Sequence, residues 1–442
     1  MTEMERRRPS GRERHAVLNG LALLMVVFLV LFPKGGIKLA GAPLTWGYVL
    51  LGLSVLPATI IRFVSLPLLF RPSALVSFGL VLPFQIVLLY AYRQNGTENL
   101  GIMVSDFTGF VLFPFLFLLI YPAYLPSIDP ARFERCFRFC VFGAAAWGIF
   151  LFVWHPLTGS YLEIPFLTVN FGDYGQLEAT KHIDRGAFFK LISTYNNGNL
   201  YGVATLILFP LYKLLETSRW KRNVVRLALV LTLSRTVWLG LLIEQLLSSV
   251  AGGSAMIRSL PHVHLKLARR QFGALLLTFA LVFIGFLFTV QSLSFLTDTS
   301  FGGRASQFSV FEHPTWLPSL AIGGFSEVMY SSALALFGLI GLVAIVLIFF
   351  SPVLLIALFP KLVDAPTNRA AAKGLLLYAI VAGADGSTNL IPVMVFYWFM
   401  TMVFLYGMPG EQRGGVMDRF RWGAVNPMRG GAGTGSQQAV SG

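Results

Sequence analysis

Nine runs of nearly uninterrupted apolar residues, most about as long as a bilayer is thick, recur along this chain and restrict what it can fold into. They lie at residues 17–33, 44–61, 73–92, 101–121, 137–154, 199–215, 271–290, 330–357 and 389–407. A hydrocarbon core about 30 Å thick is crossed by roughly 20 residues of helix. Helices also satisfy every backbone N–H and C=O internally, as an apolar solvent demands. The runs are too long and too continuous for an outer-membrane barrel, whose strands alternate over about ten residues. With 55% of 442 residues hydrophobic and 12% charged, and a mean hydropathy of +0.70, the chain carries more apolar surface than a water-soluble core can use. The expected fold class is an all-α polytopic membrane protein.

Two further regions are short or interrupted. Residues 223–250 are broken by Ser234 and Arg235 and read as a helix pair, and residues 374–384 end at Gly383, Asp385 and Gly386. Counting these gives about 12 transmembrane helices. Lys and Arg are retained on the cytoplasmic side, and placing both termini there leaves only eight of the 34 basic residues outside: Lys34, Lys38, Arg93, Lys181, Arg185, Lys190, Arg235 and Arg304. The formal charge of +14 then reflects topology and attraction to anionic lipid, and no nucleic acid is needed to explain it.

This arrangement divides the chain into a basic cytoplasmic N-terminus (1–16), a membrane domain (17–408) and a disordered cytoplasmic tail (409–442). Large periplasmic loops fall between helices 5 and 6 (155–198) and between helices 9 and 10 (291–329). The first apolar segment lacks a small-residue cleavage site and is followed by Lys34, so it reads as a retained anchor. Cys136 and Cys140, four apart, share a helix face in a reducing compartment and read as thiols rather than a disulfide or metal site. His262 and His264 sit in a basic loop without carboxylates and read as solvated.

Three places carry candidate chemistry. Asn196, Asn197 and Asn199 around Gly198 suit a turn capping the next helix, and the residues alone also allow no more than a cap beside a solvated loop. In LVLTLSRTVWLGLLIEQLL, Arg235 and Glu244 lie where charge is expensive, and an ionisable group there is a functional candidate. Their spacing of nine is not a same-face contact on one helix. If the helix breaks at Ser234, Arg235 lies near the outer surface with a guanidinium suited to bidentate phosphate binding. Finally, the loop FGGRASQFSVFEHPTWLPSLAIGGFSEVMY carries Arg304, Trp316, Glu327 and Tyr330. Glu327, at the mouth of a helix, is either a charge favoured by the dipole or a catalytic group.

The order of four segments, STYNNGNLYG, LSRTVWLGLL, GGRASQF through Trp316 to AIGGF, and EVMYSSALALFGLIGL, resembles the O-antigen polymerase and ligase superfamily of bacterial cell-surface glycan assembly. The resemblance covers roughly residues 190–410. In the family pattern a His-Asn pair opens the helix of this fourth segment. Counting back from Gly338 puts Glu327 and Val328 there, while Tyr330 keeps its position. The missing His argues for a Wzy-type polymerase over a ligase.

The resemblance implies a metal-independent glycosyltransferase of the bacterial cytoplasmic (inner) membrane, which it crosses many times. Its donor and acceptor are polyprenyl-diphosphate-linked oligosaccharides on the outer face, and its product is an O-antigen, capsule or exopolysaccharide. Arg235 and Arg304 would neutralise the departing diphosphate in place of a divalent cation, and Glu327 would accept the proton of the attacking hydroxyl. Arg185, Asn199, Tyr330 and Trp316 would bind substrate. No metal or other cofactor is expected. Membrane lipid, a chain-length regulator and a flippase are the expected partners. The alternatives are ligase-type transfer to another acceptor and, because broken helices also build transport sites, a transporter of lipid-linked oligosaccharide or an anion.

Overall fold

A computed structural model describes residues 11–39, 42–65, 70–96, 100–176, 184–185, 188–254, 305–318, 325–326, 328–385 and 391–410. It is built almost wholly of helices. In chain order these are α1 (Gly11–Val26, extended by a wide π turn over Val27–Leu31), α2 (Trp46–Ser65), α3 (Pro72–Asn95), α4 (Leu100–Phe107) and α5 (Pro130–Thr158). They continue as α6 (Gly198–Leu215), α7 (Arg219–Leu231), α8 (Arg235–Ser254), α9 (Met329–Phe349), α10 (Ser351–Leu358), α11 (Pro366–Asp385) and α12 (Ile391–Tyr406). Two small antiparallel hairpins complete the described part: β1 (Gly36–Leu39) with β2 (Ala42–Thr45), and β3 (Asp184–Arg185) with β4 (Phe188–Phe189).

Among the described residues, five segments are long and apolar enough to cross a membrane: Pro72–Asn95, Leu100–Ser127, Pro130–Thr158, Gly198–Leu215 and Met329–Phe349. Val17–Leu31, Trp46–Ile60 and Pro392–Tyr406 are shorter apolar helices. The expected run at 271–290, the basic loop with His262 and His264, and the 1–10 and 411–442 ends lie outside the described residues. The span from Leu100 is not a uniform α-helix. Beyond α4 it passes through π turns at Thr108–Leu112 and Phe115–Ile120 and a tight 3₁₀ stretch at Tyr121–Ser127. Pro114, Pro122 and Pro126 each remove a backbone donor from this stretch, which favours such departures.

The centre of the bundle is α6. Of its eighteen residues, those from Leu200 to Tyr212 are buried without interruption, the pattern of a helix enclosed on every side. The polypeptide of α11 passes close by: Gly374 packs directly on the Ile207 carbonyl. Small residues allow this approach, and TM helix pairs rely on it because lipid supplies no hydrophobic drive between them. Tyr378, Tyr397 and Phe349 form a buried aromatic trio joining α11, α12 and α9, with ring centroids 5.1–5.6 Å apart. Cys136 and Cys140 do share a face of α5, with their sulfurs 4.0 Å apart and both thiols reduced.

Glu244 is the electrostatic hub of the bundle. It is buried, accepts from Lys213 Nζ at 3.0 Å and from Ser248 Oγ at 2.7 Å, and interacts electrostatically with Arg226 and Lys373. A pair with Arg235 is thereby replaced by contacts from α6, α7 and α11, since nine residues separate the two along α8 by about 13 Å. One buried carboxylate serves three cations. Glu244→Gln should therefore cost roughly 3–5 kcal/mol and lower the melting midpoint in detergent more than Lys213→Met does. Equal midpoints for the two variants would refute the hub.

Candidate functional site

The segment 191–200 is shaped by its side chains. Ser193 and Asn196 adopt positive φ (52° and 55°), and each is held there: Ser193 Oγ donates to the Ala144 carbonyl at 2.6 Å and Asn196 Nδ2 to the Thr168 carbonyl at 3.0 Å. Asn197 caps α6, its Oδ1 accepting from the N–H groups of Asn199 and Leu200 at 2.9 and 3.2 Å. The capping reading of this Asn-rich stretch thus holds for Asn197. Asn199 lies on the first turn, half-buried, and its buried Oδ1 has no hydrogen-bond partner among the described residues.

This turn rests on the break between α7 and α8. The Leu191 N–H donates to the Leu231 carbonyl at 3.1 Å. A Cβ at Gly198 would stand 2.7 Å from the Leu191 carbonyl and 3.5 Å from that of Thr232. Between the helices Leu233 has φ 50°. Thr232 Oγ1 donates to the Leu229 carbonyl at 2.7 Å and Trp238 Nε1 to that of Val230 at 2.8 Å, so side chains on both sides of the break accept the role of the missing ladder. Arg235 is the first residue of α8 and is half-buried. The expected interruption at Ser234–Arg235 is a three-residue break over 232–234.

Packing places several of these groups at one end of the bundle. One and a half turns into α8, Gly240 rests on Leu206 of α6 and Val381 of α11. Asp385, one turn beyond Val381, is buried and engaged. On α9 the Tyr330 hydroxyl donates to the Ala379 carbonyl, and its ring lies against Gly383. Asn199, Arg235, Tyr330 and Asp385 therefore occupy the same ends of four helices, with α6, α8 and α9 each packed on α11. The residues just before α9 are pinned by the Ser326 N–H donating to Ser332 Oγ at 2.7 Å and by the Val328 N–H donating to Gln307 Oε1 at 3.1 Å.

The loop before α9 does not simply cover this end. From a 3₁₀ turn at Ala305–Phe311 it descends beside α9, and α9 is broken at Gly338 (φ 69°, ψ −173°) to receive it. The Leu339 N–H donates to the Thr315 carbonyl at 2.8 Å and the Ile340 N–H to that of Trp316 at 3.4 Å. From Val328 to Leu339 this path follows about 16 Å of helix. The Trp316 side chain is exposed, as are Glu312 and His313. Polar side chains at that level favour water beside α9 over lipid. The apolar run 330–357 is likewise not one helix: it turns at Gly338 and ends at Phe350, where α10 begins.

Among the sequence candidates, Asn199, Arg235 and Tyr330 come together in this way, and Trp316 contributes its backbone to the break in α9. Arg185 is placed by its backbone in the β3–β4 hairpin. Arg304, Glu327 and the side chain of Arg185 lie outside the described residues. Asp106 was not singled out by sequence reasoning. It is buried, its Oδ2 accepts from the Tyr92 hydroxyl at 2.7 Å, and its Oδ1 has no hydrogen-bond partner among the described residues. One turn on, Phe110 stacks near Phe325 with centroids 6.2 Å apart, which sets Asp106 toward the same end of the molecule. A lone acid inside an apolar run was the available signal. Among the described residues no group of three His, Cys, Asp or Glu side chains could hold a metal ion.

No family model matches the chain, and no curated protein is similar to it.

Proposed function

We propose that this protein is a membrane glycosyltransferase that polymerises polyprenyl-diphosphate-linked oligosaccharide units into a surface polysaccharide on the outer face of a bacterial cytoplasmic membrane. Twelve spans with both termini cytoplasmic belong to the same proposal. The observation that carries it is Arg235 at the first position of α8, directly after the break, at the bundle end shared with Asn199 and Tyr330. These positions are the ones at which the chain resembles O-antigen polymerases.

In this reading the anomeric carbon of the donor glycan loses its bond to the diphosphate oxygen and gains one to the acceptor hydroxyl. Polyprenyl diphosphate leaves with the electron pair, and the hydroxyl proton passes to a base. Arg235, at a helix N-terminus whose dipole also favours anions, stabilises the leaving group together with Arg304. Guanidinium donors aimed at charge that develops during bond breaking supply a large part of such catalysis. Glu327 takes the proton.

The direct assay is the full chain in proteoliposomes with a polyprenyl-diphosphate oligosaccharide. Longer lipid-linked glycans and released polyprenyl diphosphate should accumulate, including in the presence of a chelator. Unchanged glycan length would sink the proposal. Within it, Glu327→Gln should be nearly as damaging as Glu327→Ala, because the proton acceptor is lost in both. An active Gln variant makes Glu327 a helix-terminal charge.

A further inference from the structure

Away from the Arg235 end, α1, α2, the continuation of α4, α5 and α12 enclose a groove of about 390 Å³, within the size range of small-molecule sites. Its walls are almost entirely apolar. On α1 it follows the i, i+4 stripe Val17, Leu21, Met25 and Leu29, and from Val17 to Val30 this face is about 20 Å long, more than one leaflet's share of the hydrocarbon core. The few polar atoms are already used: Ser54 Oγ and the Tyr121 hydroxyl bond each other at 2.5 Å, and the Tyr124 hydroxyl donates to the Ala58 carbonyl at 2.6 Å. Such a cavity does not suit water. The rim residues Val17 and Leu53 are 71% and 67% exposed, so the groove opens sideways, toward the space a bilayer would fill.

One end of the groove is positively charged. Arg62 stands one turn beyond Ala58 on α2, buried, with Nε donating to the Leu119 carbonyl at 3.3 Å and its guanidinium 5.0 Å from the Phe70 ring centre. Arg71 is half-buried, donates to the Leu405 carbonyl at 2.7 Å, and lies 5.2 Å from the centre of the Tyr406 ring. Tyr406 in turn is one turn beyond Met402, a groove residue. Asp129, the acid beside groove residue Ile128, is engaged by Arg132 at 3.3 Å. Aromatic rings and guanidinium groups in this arrangement are typical of the headgroup level of a membrane protein.

We propose that the groove holds an acyl chain of an anionic phospholipid whose phosphate lies against Arg71, with Arg62 as the buried charge behind it. The site is separate from the proposed catalytic end and does not depend on that activity.

The test uses the full chain in phosphatidylcholine vesicles carrying a trace of chain-labelled phosphatidylglycerol or chain-labelled phosphatidylcholine, with the motionally restricted fraction read by spin resonance. The wild type should retain phosphatidylglycerol about fivefold better, the factor expected of one basic side chain beside an anionic headgroup. Arg71→Gln should abolish that preference, and Met25→Trp, which fills the groove, should release both labels. Equal retention of the two lipids by the wild type, or a preference that survives Arg71→Gln, would overturn the proposal. So would displacement of the label by polyprenyl phosphate but not by unlabelled phosphatidylglycerol, which would make this an isoprenoid site. Should Met25→Trp fail to fold, Arg71→Gln alone decides, since that side chain is only half-buried.

Discussion

Arg235→Ala is expected to slow chain elongation by about 10²–10³-fold, the usual loss when one preorganised donor to a developing anion is removed. Arg235 begins α8 at a break, so its removal disturbs no ladder hydrogen bond of a helix interior. Its half-buried side chain is engaged, so elongation is compared at equal amounts of folded protein, with the melting midpoint of each variant measured beside it. Arg235→Lys should recover little, because an ammonium is a point charge and cannot bridge two phosphate oxygens in one plane. The measurement is the length distribution of lipid-linked glycan made by equal amounts of each protein. Wild-type elongation by Arg235→Ala would remove the central residue of the proposed mechanism.

Gly338→Val should have the largest structural effect. A left-handed φ costs a side-chain-bearing residue about 1–2 kcal/mol, and more for a β-branched one. A Cβ would also stand 2.7 Å from the Trp316 carbonyl oxygen and 2.8 Å from the Leu317 carbonyl carbon, so the loop must withdraw. Withdrawal strips the Leu339 and Ile340 N–H groups of their acceptors, at about 0.5–1.5 kcal/mol net for each bond lost. The melting midpoint should fall, and the Leu339 and Ile340 amides should exchange hydrogen faster than in the wild type. If both quantities stay unchanged, the loop is not docked in the break of α9.

Much of the helical architecture was legible from apolar periodicity and length, as α3, α5 and α6 illustrate, because a span must carry its own hydrophobicity wherever its neighbours lie. The α7–α8 break was legible too, since Ser234 and Arg235 interrupt an apolar run at the point where backbone groups must find other partners. Glu244 was not. Its three cations come from α6, α7 and α11, and no spacing along one helix could reveal them. For the candidate site, the Asn-rich turn and Arg235 were visible as polar groups in apolar company. Asp106 was equally visible as a lone acid in an apolar run, but its bonded partner Tyr92 lies on another helix.

By itself the sequence determined that this chain is built from bilayer-length helices and where their polar interruptions fall, because both follow from local transfer free energies that each segment carries alone. Only the tertiary structure decided that the run 330–357 is kinked at Gly338 around the loop at Thr315 and Trp316, that Glu244 pairs with Lys213, and that an apolar groove ends at Arg62 and Arg71. Each of these depends on which distant segments share a surface, and a carbonyl, a charge or a cavity wall is the same residue in the sequence whatever it faces in the fold.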